Sequence, residues 1–223
     1  MRNHLLLSAF AAAAVLCSVA AAEEAAPAAS SAATGKAFVV LSVTHDEETG
    51  AKASTAFFVD STSSYGLLDR KLLRSIENVL GIPRGSDFKE IYGTVFVLEL
   101  PAGTHQIDRW ETTYAQVHLS PTTPPPPLQF EARAGEVIYL GNLNMVNRLG
   151  RPSFVSPWVP VGGTPEVRDR QSVDIPIAEA KVSAIKGAVT VRLLPLGTWG
   201  VKDPETVAKR TSPLFLSPLP AKR

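Results

Sequence analysis

Histidines and one acidic run are the side chains of this chain best suited to metal chemistry. His45, His105 and His118 carry imidazoles that suit zinc, but they lie in separate segments without a short ligand spacing. The run His45-Asp46-Glu47-Glu48 offers the oxygen ligands that calcium prefers, yet it lacks the alternating pattern of a calcium-binding loop. We therefore expect histidines with solvated or backbone partners, a solvated acidic turn and no metal site.

Nucleophilic catalysis requires a serine, cysteine or carboxylate next to a base, and no motif of that kind stands in the sequence. There is no G-x-S-x-G elbow and no Gly-rich phosphate loop, since Gly162-Gly163 is too isolated to count. We predict a binding or structural module without catalysis or cofactor. Because catalytic triads are recognised by geometry rather than by order along the chain, a hydrolase-like enzyme with a spatially assembled site is the alternative.

Aromatic side chains are the more promising recognition residues. Their flat faces stack on sugars of envelope glycans or anchor a protein partner. We expect Trp110 and Tyr139 to be core residues of paired strands. Trp158, in the proline-flanked segment FVSPWVP, is the best candidate for an exposed platform. Phe154 and Trp199 complete the set of predicted binding residues.

The N-terminus has the pattern of an export signal. Arg2 precedes an apolar run from Leu5 to Leu16, and small residues follow up to Ala22. The run is shorter than the roughly 20 residues that a membrane-spanning helix needs. We predict a signal peptide over residues 1–22 and a periplasmic or secreted protein. A second hypothesis makes Cys17 the lipid-bearing residue of an envelope lipoprotein, but the bulky Leu16 disfavours it.

Removal of residues 1–22 leaves a neutral chain without cysteine. Of the 22 Lys and Arg residues only Arg2 is lost, so 21 basic residues balance 21 acidic ones. This balance gives no electrostatic reason to expect binding to nucleic acid or to anionic lipid. Without disulfides, stability must come from a sizeable apolar core.

Three pairs of apolar, β-branched segments predict the strands that must position these side chains. Residues 36–44 and 53–60 are separated by a polar turn and predict a hairpin. A second hairpin is predicted from 94–100 and 104–111 around Pro101-Ala102-Gly103, and a third from 128–133 and 136–145 around Ala134-Gly135. Strict alternation within these segments predicts one wet face and one buried face.

Other segments predict helices and connectors. Apolar residues recur at helical spacing over Leu67–Leu80, which predicts an amphipathic helix, and a second helix is predicted from Asp174 to Lys186, before a last strand over 188–194. Five of the seven residues in the run Pro121–Pro127 are prolines, which lack a backbone donor, and the run predicts an extended connector. We favour a rigid spacer there over a ligand for an aromatic groove.

These segments together predict the domain organisation. A flexible leader, rich in Ala, Ser, Thr and Pro, spans residues 23–35, a β-sandwich domain spans 36–194, and a proline-rich tail spans 195–223. About seven strands without regular alternation with helices favour a mainly β fold. We predict an antiparallel β-sandwich, transthyretin-like or Ig-like, with one or two short inserted helices.

A stretch from about Val95 to Asn144 carries a resemblance. Its features are Leu100-Pro101-Ala102-Gly103, Trp110, Phe130, Ala134-Gly135-Glu136 and Tyr139-Leu140-Gly141. In these features the chain resembles a group of bacterial exported proteins and lipoproteins with transthyretin-like or carboxypeptidase-regulatory-like sandwiches. The resemblance implies a non-catalytic accessory sandwich and assigns no site residues.

Overall fold

The computed structural model of the chain describes a set of segments that all belong to one compact unit, Ala32–Arg223. They are residues 35–46, 53–60, 71–79, 82–114, 117–151, 154, 158–200 and 206–210. The predicted signal peptide 1–22, Cys17, and the leader up to residue 34 lie outside the described residues.

Strands predominate because most apolar segments are rich in Val, Ile, Phe and Thr, whose branched or aromatic side chains suit a pleated surface. The described strands are β1 (Lys36–His45), β2 (Ala53–Val59), β3 (Lys71–Arg74), β4 (Glu77–Val79), β5 (Ile82–Arg84), β6 (Tyr92–Pro101), β7 (Gly103–Tyr114), β8 (Val117–Pro121), β9 (Leu128–Ala132), β10 (Val137–Gly150), β11 (Val159–Arg168), β12 (Thr190–Val191), β13 (Gly197–Thr198) and β14 (Thr206–Arg210). One α-helix, α1 (Gln171–Lys181), and a 3₁₀ turn, Ser183–Ile185, are also described.

The strands form two six-stranded sheets that pack around a shared core. In the first sheet the order is β13-β11-β10-β1-β6, with β12 beside β10. In the second sheet the order is β14-β8-β7-β2-β3, with β9 beside β7, and β4 and β5 form a separate ribbon. The predicted mainly β sandwich is confirmed. Neighbouring strands are antiparallel except that β10 runs parallel to β1 and β12, so the first sheet is mixed.

Alternating side chains along each strand fill the space between the sheets. In β9, Leu128, Phe130 and Ala132 point into the core while Gln129 and Glu131 are exposed, as the sequence pattern predicts. Trp110 and Phe57 from the second sheet are among the largest fully buried side chains of this core.

Helix α1 and the 3₁₀ turn cover the outer face of the first sheet. Ala178 and Ile185 pack against Val40, Val95 and Tyr139 in a second apolar cluster. Strands β1 and β10 are therefore buried on both faces, which explains their continuous runs of buried residues. The helix predicted after Asp174 is confirmed, although it begins at Gln171.

All three predicted hairpins are wrong, because each pair of strands is divided between the two sheets. Strand β1 lies in the first sheet and β2 in the second, and the same is true of β6 with β7 and of β10 with β9. The tight connections at Gly103 (φ 150°) and Gly135 (φ 76°) instead lead the chain from one sheet to the other. Hydrophobic alternation indicates only which face of a strand is buried. A hairpin within one sheet and a connection between two sheets give the same alternation.

The helix predicted over Leu67–Leu80 is also wrong for the part that the structure describes. Residues 71–74 and 77–79 are strands β3 and β4, while 67–70 and 80 lie outside the described residues. Strand β3 pairs with β2, which places Leu73 opposite Phe57 and buries it in the core. Pairing with an existing sheet outweighs the helical spacing of a short segment.

The sandwich also extends beyond Leu194, the predicted end of the domain. Between Thr190 and Leu194 the chain runs beside β10, and the Leu194 N–H donates to the Leu140 carbonyl. Strand β13 then pairs with β11, and β14 pairs with β8 at the edge of the second sheet. Residues after 210 in the predicted tail lie outside the described residues.

Candidate functional site

The β10–β11 hairpin is longer than the sheet beside it. Its register runs from Asn142 opposite Arg168 to Gly150 opposite Val159, whereas β1 pairs with β10 only as far as Met145. The Asp46 carboxylate accepts a hydrogen bond from the Asn147 N–H, 2.8 Å away, where β1 ends. The distal end of the hairpin therefore projects from the sandwich among the described residues.

We call residues 147–151, Phe154 and Trp158 the hairpin tip. Two of its side chains are large, aromatic and open to solvent: Phe154 is 93% exposed and Trp158 is 54% exposed. Trp158 is exposed, as its position between prolines predicts. The structure thus brings two of the three predicted binding residues to one end of one hairpin.

Arginine side chains border the aromatic surface of the hairpin tip. The Arg151 guanidinium lies over the Trp158 ring, with Cζ 5.0 Å from the ring centroid, a cation–π contact. Gly150 and Val159 form the last pair of the β10–β11 ladder. Arg151 comes directly after Gly150 and Trp158 directly before Val159, which brings the two side chains together. The Arg148 side chain is exposed on the same end of β10.

An open groove lies beside the indole. It has a volume of about 740 Å³ and is lined by Asn147, Arg148, Leu149 and Trp158. Gly163 and Gly162 are the cross-strand partners of Asn147 and Arg148, so no side chain stands opposite either residue. A Cβ atom at Gly163 would lie only 2.8 Å from the Met145 sulfur. Gly163 therefore leaves room for the buried Met145 side chain.

Trp199, the third predicted binding residue, is not part of the surface. It is 5% exposed and belongs to the core, where its ring stacks on Phe57 at 6.0 Å. Its Nε1–H donates to the Pro126 carbonyl, 2.6 Å away, so the indole fixes the proline connector from within the protein. The structure places Trp199 in the core rather than on an exposed surface, because pairing of β13 with β11 brings this residue back onto the sandwich.

The histidines lie apart, as their spacing suggests. His105 bonds Asp60 and the Pro101 carbonyl, His45 bonds Ser75, and His118 bonds Thr113. Within the described segments, no three His, Cys, Asp or Glu side chains are grouped closely enough to hold a metal ion.

One serine–histidine contact has the distance that nucleophilic catalysis needs. His45 Nδ1 lies 2.8 Å from Ser75 Oγ. Both side chains are fully buried, and Ser75 Oγ also accepts a hydrogen bond from the Thr55 N–H. Among the described residues the pair is buried, and it links β1 of the first sheet to the segment after β3 of the second.

A buried carboxyl group lies where helix α1 meets the first sheet. Asp174, in the first turn of α1, accepts hydrogen bonds from the Ser42 hydroxyl (2.5 Å) and the Tyr139 hydroxyl (2.8 Å) of the first sheet. Burial raises the pKa of Asp174, and these two hydrogen bonds partly oppose that rise. Burial and the neighbouring Asp174 also raise the pKa of Tyr139.

The sequence gives no hint of this polar cluster. Asn142 extends it by donating to Ser42 Oγ, and Thr44 donates to Asn142 and Asn144. All of these side chains are buried beneath α1 and adjoining segments. The cluster therefore fastens the helix to the sheet and offers no surface to a ligand.

Comparison of the chain with protein-family models, with curated proteins and with solved structures gives no match. The class is therefore defined by the fold and the site alone: a mainly β, two-sheet sandwich with an exposed aromatic and basic hairpin tip. None of the described helices has the length and apolar character needed to cross a bilayer.

Proposed function

We propose that this protein is an exported module of the cell envelope that binds glycan through the hairpin tip and performs no chemistry of its own. The observation that carries the proposal is the joint exposure of Trp158 and Phe154 on one projecting hairpin. Single exposed apolar residues are common on proteins, but large aromatic rings gathered at one place mark recognition surfaces.

The groove supports a glycan as the occupant. It is an open surface groove of about 740 Å³ beside Trp158, so a sugar ring can lie against the indole without entering a closed cavity. An indole at its edge provides the flat apolar face on which a sugar ring stacks. Arg148 lines the same groove, and polar residues of such a lining fix the orientation of a hydroxyl-rich ligand.

The envelope address rests on the sequence. Residues 1–22 have the basic start, apolar middle and small-residue end of an export signal. The resemblance around residues 95–144 is to exported bacterial sandwiches, in which an accessory binding role is expected. A neutral chain without cysteine after that segment is compatible with an oxidising compartment.

Co-sedimentation of the purified protein with protein-free peptidoglycan tests the proposal. The Trp158→Ala variant removes the stacking face, and we expect its apparent affinity to fall by about 30-fold, the cost of losing a hot-spot aromatic of about 2 kcal/mol. Far-ultraviolet circular dichroism and thermal unfolding check that the variant keeps the fold, which we expect of an exposed side chain.

A matched control removes an equally exposed apolar side chain elsewhere. Leu196 is 58% exposed, and it precedes β13, which pairs with β11 at Glu166 and Val167, far along the strand from the hairpin tip. Leu196→Ala is expected to bind as the unaltered protein does. Equal binding by the Trp158 and Leu196 variants, or no binding by the unaltered protein, would reject the proposal.

A further inference from the structure

We infer that the ligand of the hairpin tip is an acidic glycan, and that Arg151 selects a sugar carrying a carboxylate while Trp158 stacks on its ring. This inference rests on the proposed function and adds to it the chemical class of the ligand and a specificity-determining residue. It is carried by the position of the Arg151 guanidinium against the indole.

The first step concerns which face of the indole is open. Arg151 lies 5.0 Å above the ring centroid and covers one face of Trp158. Because the residue is still 54% exposed, most of the exposed area belongs to the opposite face and the ring edges. A sugar stacked on the open face places its substituents at the ring edge, within reach of the guanidinium.

The second step concerns charge. In the part of the chain that the structure describes, Arg151 contacts the Trp158 ring and forms no ion pair with a carboxylate. A guanidinium over an exposed aromatic ring still has N–H groups to donate, and its planar fork matches a carboxylate with two parallel hydrogen bonds. A carboxylate-bearing sugar complements both the guanidinium and the indole, whereas a neutral sugar uses only the indole.

The third step separates a glycan from a membrane surface. Anionic lipids attract each exposed arginine by only about 1 kcal/mol. Two arginines, within a chain that carries 21 basic and 21 acidic residues after residues 1–22, fall short of stable adsorption. In addition, Trp158 lines a groove beside β10, which offers a place for a sugar ring.

Isothermal titration calorimetry with defined hexuronate trimers tests the inference. The probes are trimers of galacturonate, mannuronate and glucuronate, each compared with its methyl ester, which keeps the ring and removes the charge. We expect at least one acid form to bind about 10-fold or more tightly than its ester. Raising the salt concentration should narrow this gap, because the added contact is between charges.

Two variants assign the preference to Arg151. Arg151→Gln should reduce the acid-to-ester ratio to about 1, because it weakens binding of the acid far more than binding of the ester. Arg151→Lys, which keeps the charge and loses the planar fork, should retain part of the ratio. Trp158→Ala should weaken acid and ester alike, because stacking does not depend on the carboxylate. Arg151 is exposed, and circular dichroism verifies the fold of each variant.

The outcomes separate the two proposals. If acid and ester bind equally, or if no acid form binds, the acidic specificity is wrong, while the peptidoglycan assay with Trp158→Ala still decides the glycan-binding function. If the monomeric uronates bind as tightly as the trimers, the ligand is a free acidic sugar rather than a polymer. Both proposals would be overturned in favour of a membrane surface by two results together. The protein would bind phosphatidylglycerol vesicles, with binding lost in Phe154→Ala, and it would bind none of the uronates.

Discussion

His105 and Asp60 form an ion pair next to the crossing between β6 and β7, with 2.7 Å between Nδ1 and Oδ2. The other ring nitrogen, Nε2, lies 2.8 Å from the Pro101 carbonyl oxygen. Both acceptors lack protons to donate, so only the doubly protonated imidazolium satisfies both contacts. The ring also stacks on Phe130, which holds it in this position.

This geometry predicts that the protein is more stable at mildly acidic than at alkaline pH. The hydrogen bond with Asp60 raises the pKa of His105 above its usual 6.5, although burial and the nearby Lys71 oppose the rise. A histidine whose pKa is higher in the folded than in the unfolded state stabilises the fold. This stabilisation is complete below the pKa of the unfolded state and is lost as pH rises through the pKa of the folded state. Urea unfolding between pH 5.5 and 9 measures this dependence, in a buffer of constant ionic strength.

Asp60→Asn is the matched variant for the pH prediction. Asp60 has a positive φ of 53°, a conformation that asparagine also tolerates, so the backbone is preserved. The variant removes the charge that raises the pKa of His105, and the stability difference between its acidic and alkaline limits should shrink. Identical pH profiles for the variant and the unaltered protein would show that the pair has no linkage to folding.

The contact between Tyr139 and Asp174 predicts a cost for removing one hydroxyl. Tyr139→Phe leaves the ring in the second apolar cluster but withdraws a donor from a buried carboxyl group, which should lower the free energy of unfolding by about 1–3 kcal/mol. Tyr114→Phe is the control, since its hydroxyl bonds no described residue and its loss should change stability by less than about 0.5 kcal/mol. Equal effects of the two substitutions would contradict the role given to the network.

The sequence was sufficient for the class of fold because alternation and β-branched composition are local properties. It also separated the buried Trp110 and Tyr139 from the exposed Trp158. Their neighbours differ: the first two lie within alternating strands, whereas Trp158 stands between prolines, which disfavour a central strand.

Strand partners could not be derived from the same pattern. The pairing of β1 with β6 and β10 joins segments far apart in sequence, and nothing in a short glycine turn decides between a hairpin and a crossing. The groove at the hairpin tip was missed for this reason, because Gly162 and Gly163 gain meaning only when they lie opposite Arg148 and Asn147. The buried Asp174 was missed because a carboxyl group near a helix start is usually a solvated cap.

Trp199 provides a test of whether the segment after Leu194 belongs to the core. Trp199→Ala should lower the free energy of unfolding by about 3–5 kcal/mol, the usual cost of a large core truncation. Trp199→Phe keeps most of the packing but loses the N–H donated to Pro126, and it should cost about 1–2 kcal/mol more than the surface change Trp158→Phe. A loss below about 1 kcal/mol for Trp199→Ala would place this residue outside the cooperative fold.

Engineered disulfides test the division of neighbouring strands between the sheets. The Val95 N–H donates to the Asp87 carboxylate and the Val95 carbonyl accepts from the Lys181 ammonium, so neither backbone group points towards β1. Val95 is therefore a non-hydrogen-bonded position of the β1–β6 pair, and by alternation along β6 so is Glu99. Cα atoms at such positions are about 4.5 Å apart, which a disulfide spans. In a chain carrying Cys17→Ser, the pair Phe38→Cys with Glu99→Cys should therefore oxidise readily.

The contrasting disulfide pair follows the rejected hairpin. If β6 and β7 were joined as a hairpin about Ala102, Val95 would stand opposite Arg109. In the structure these residues lie on different sheets, with Val95 under helix α1 and Arg109 stacked on Phe58 of the second sheet. Sheets pack about 10 Å apart, beyond the reach of a disulfide, so Val95→Cys with Arg109→Cys should stay reduced under the same oxidant. Thiol titration and non-reducing mass spectrometry measure both pairs, and a disulfide in the second pair but not in the first would restore the hairpin and refute the sheet order.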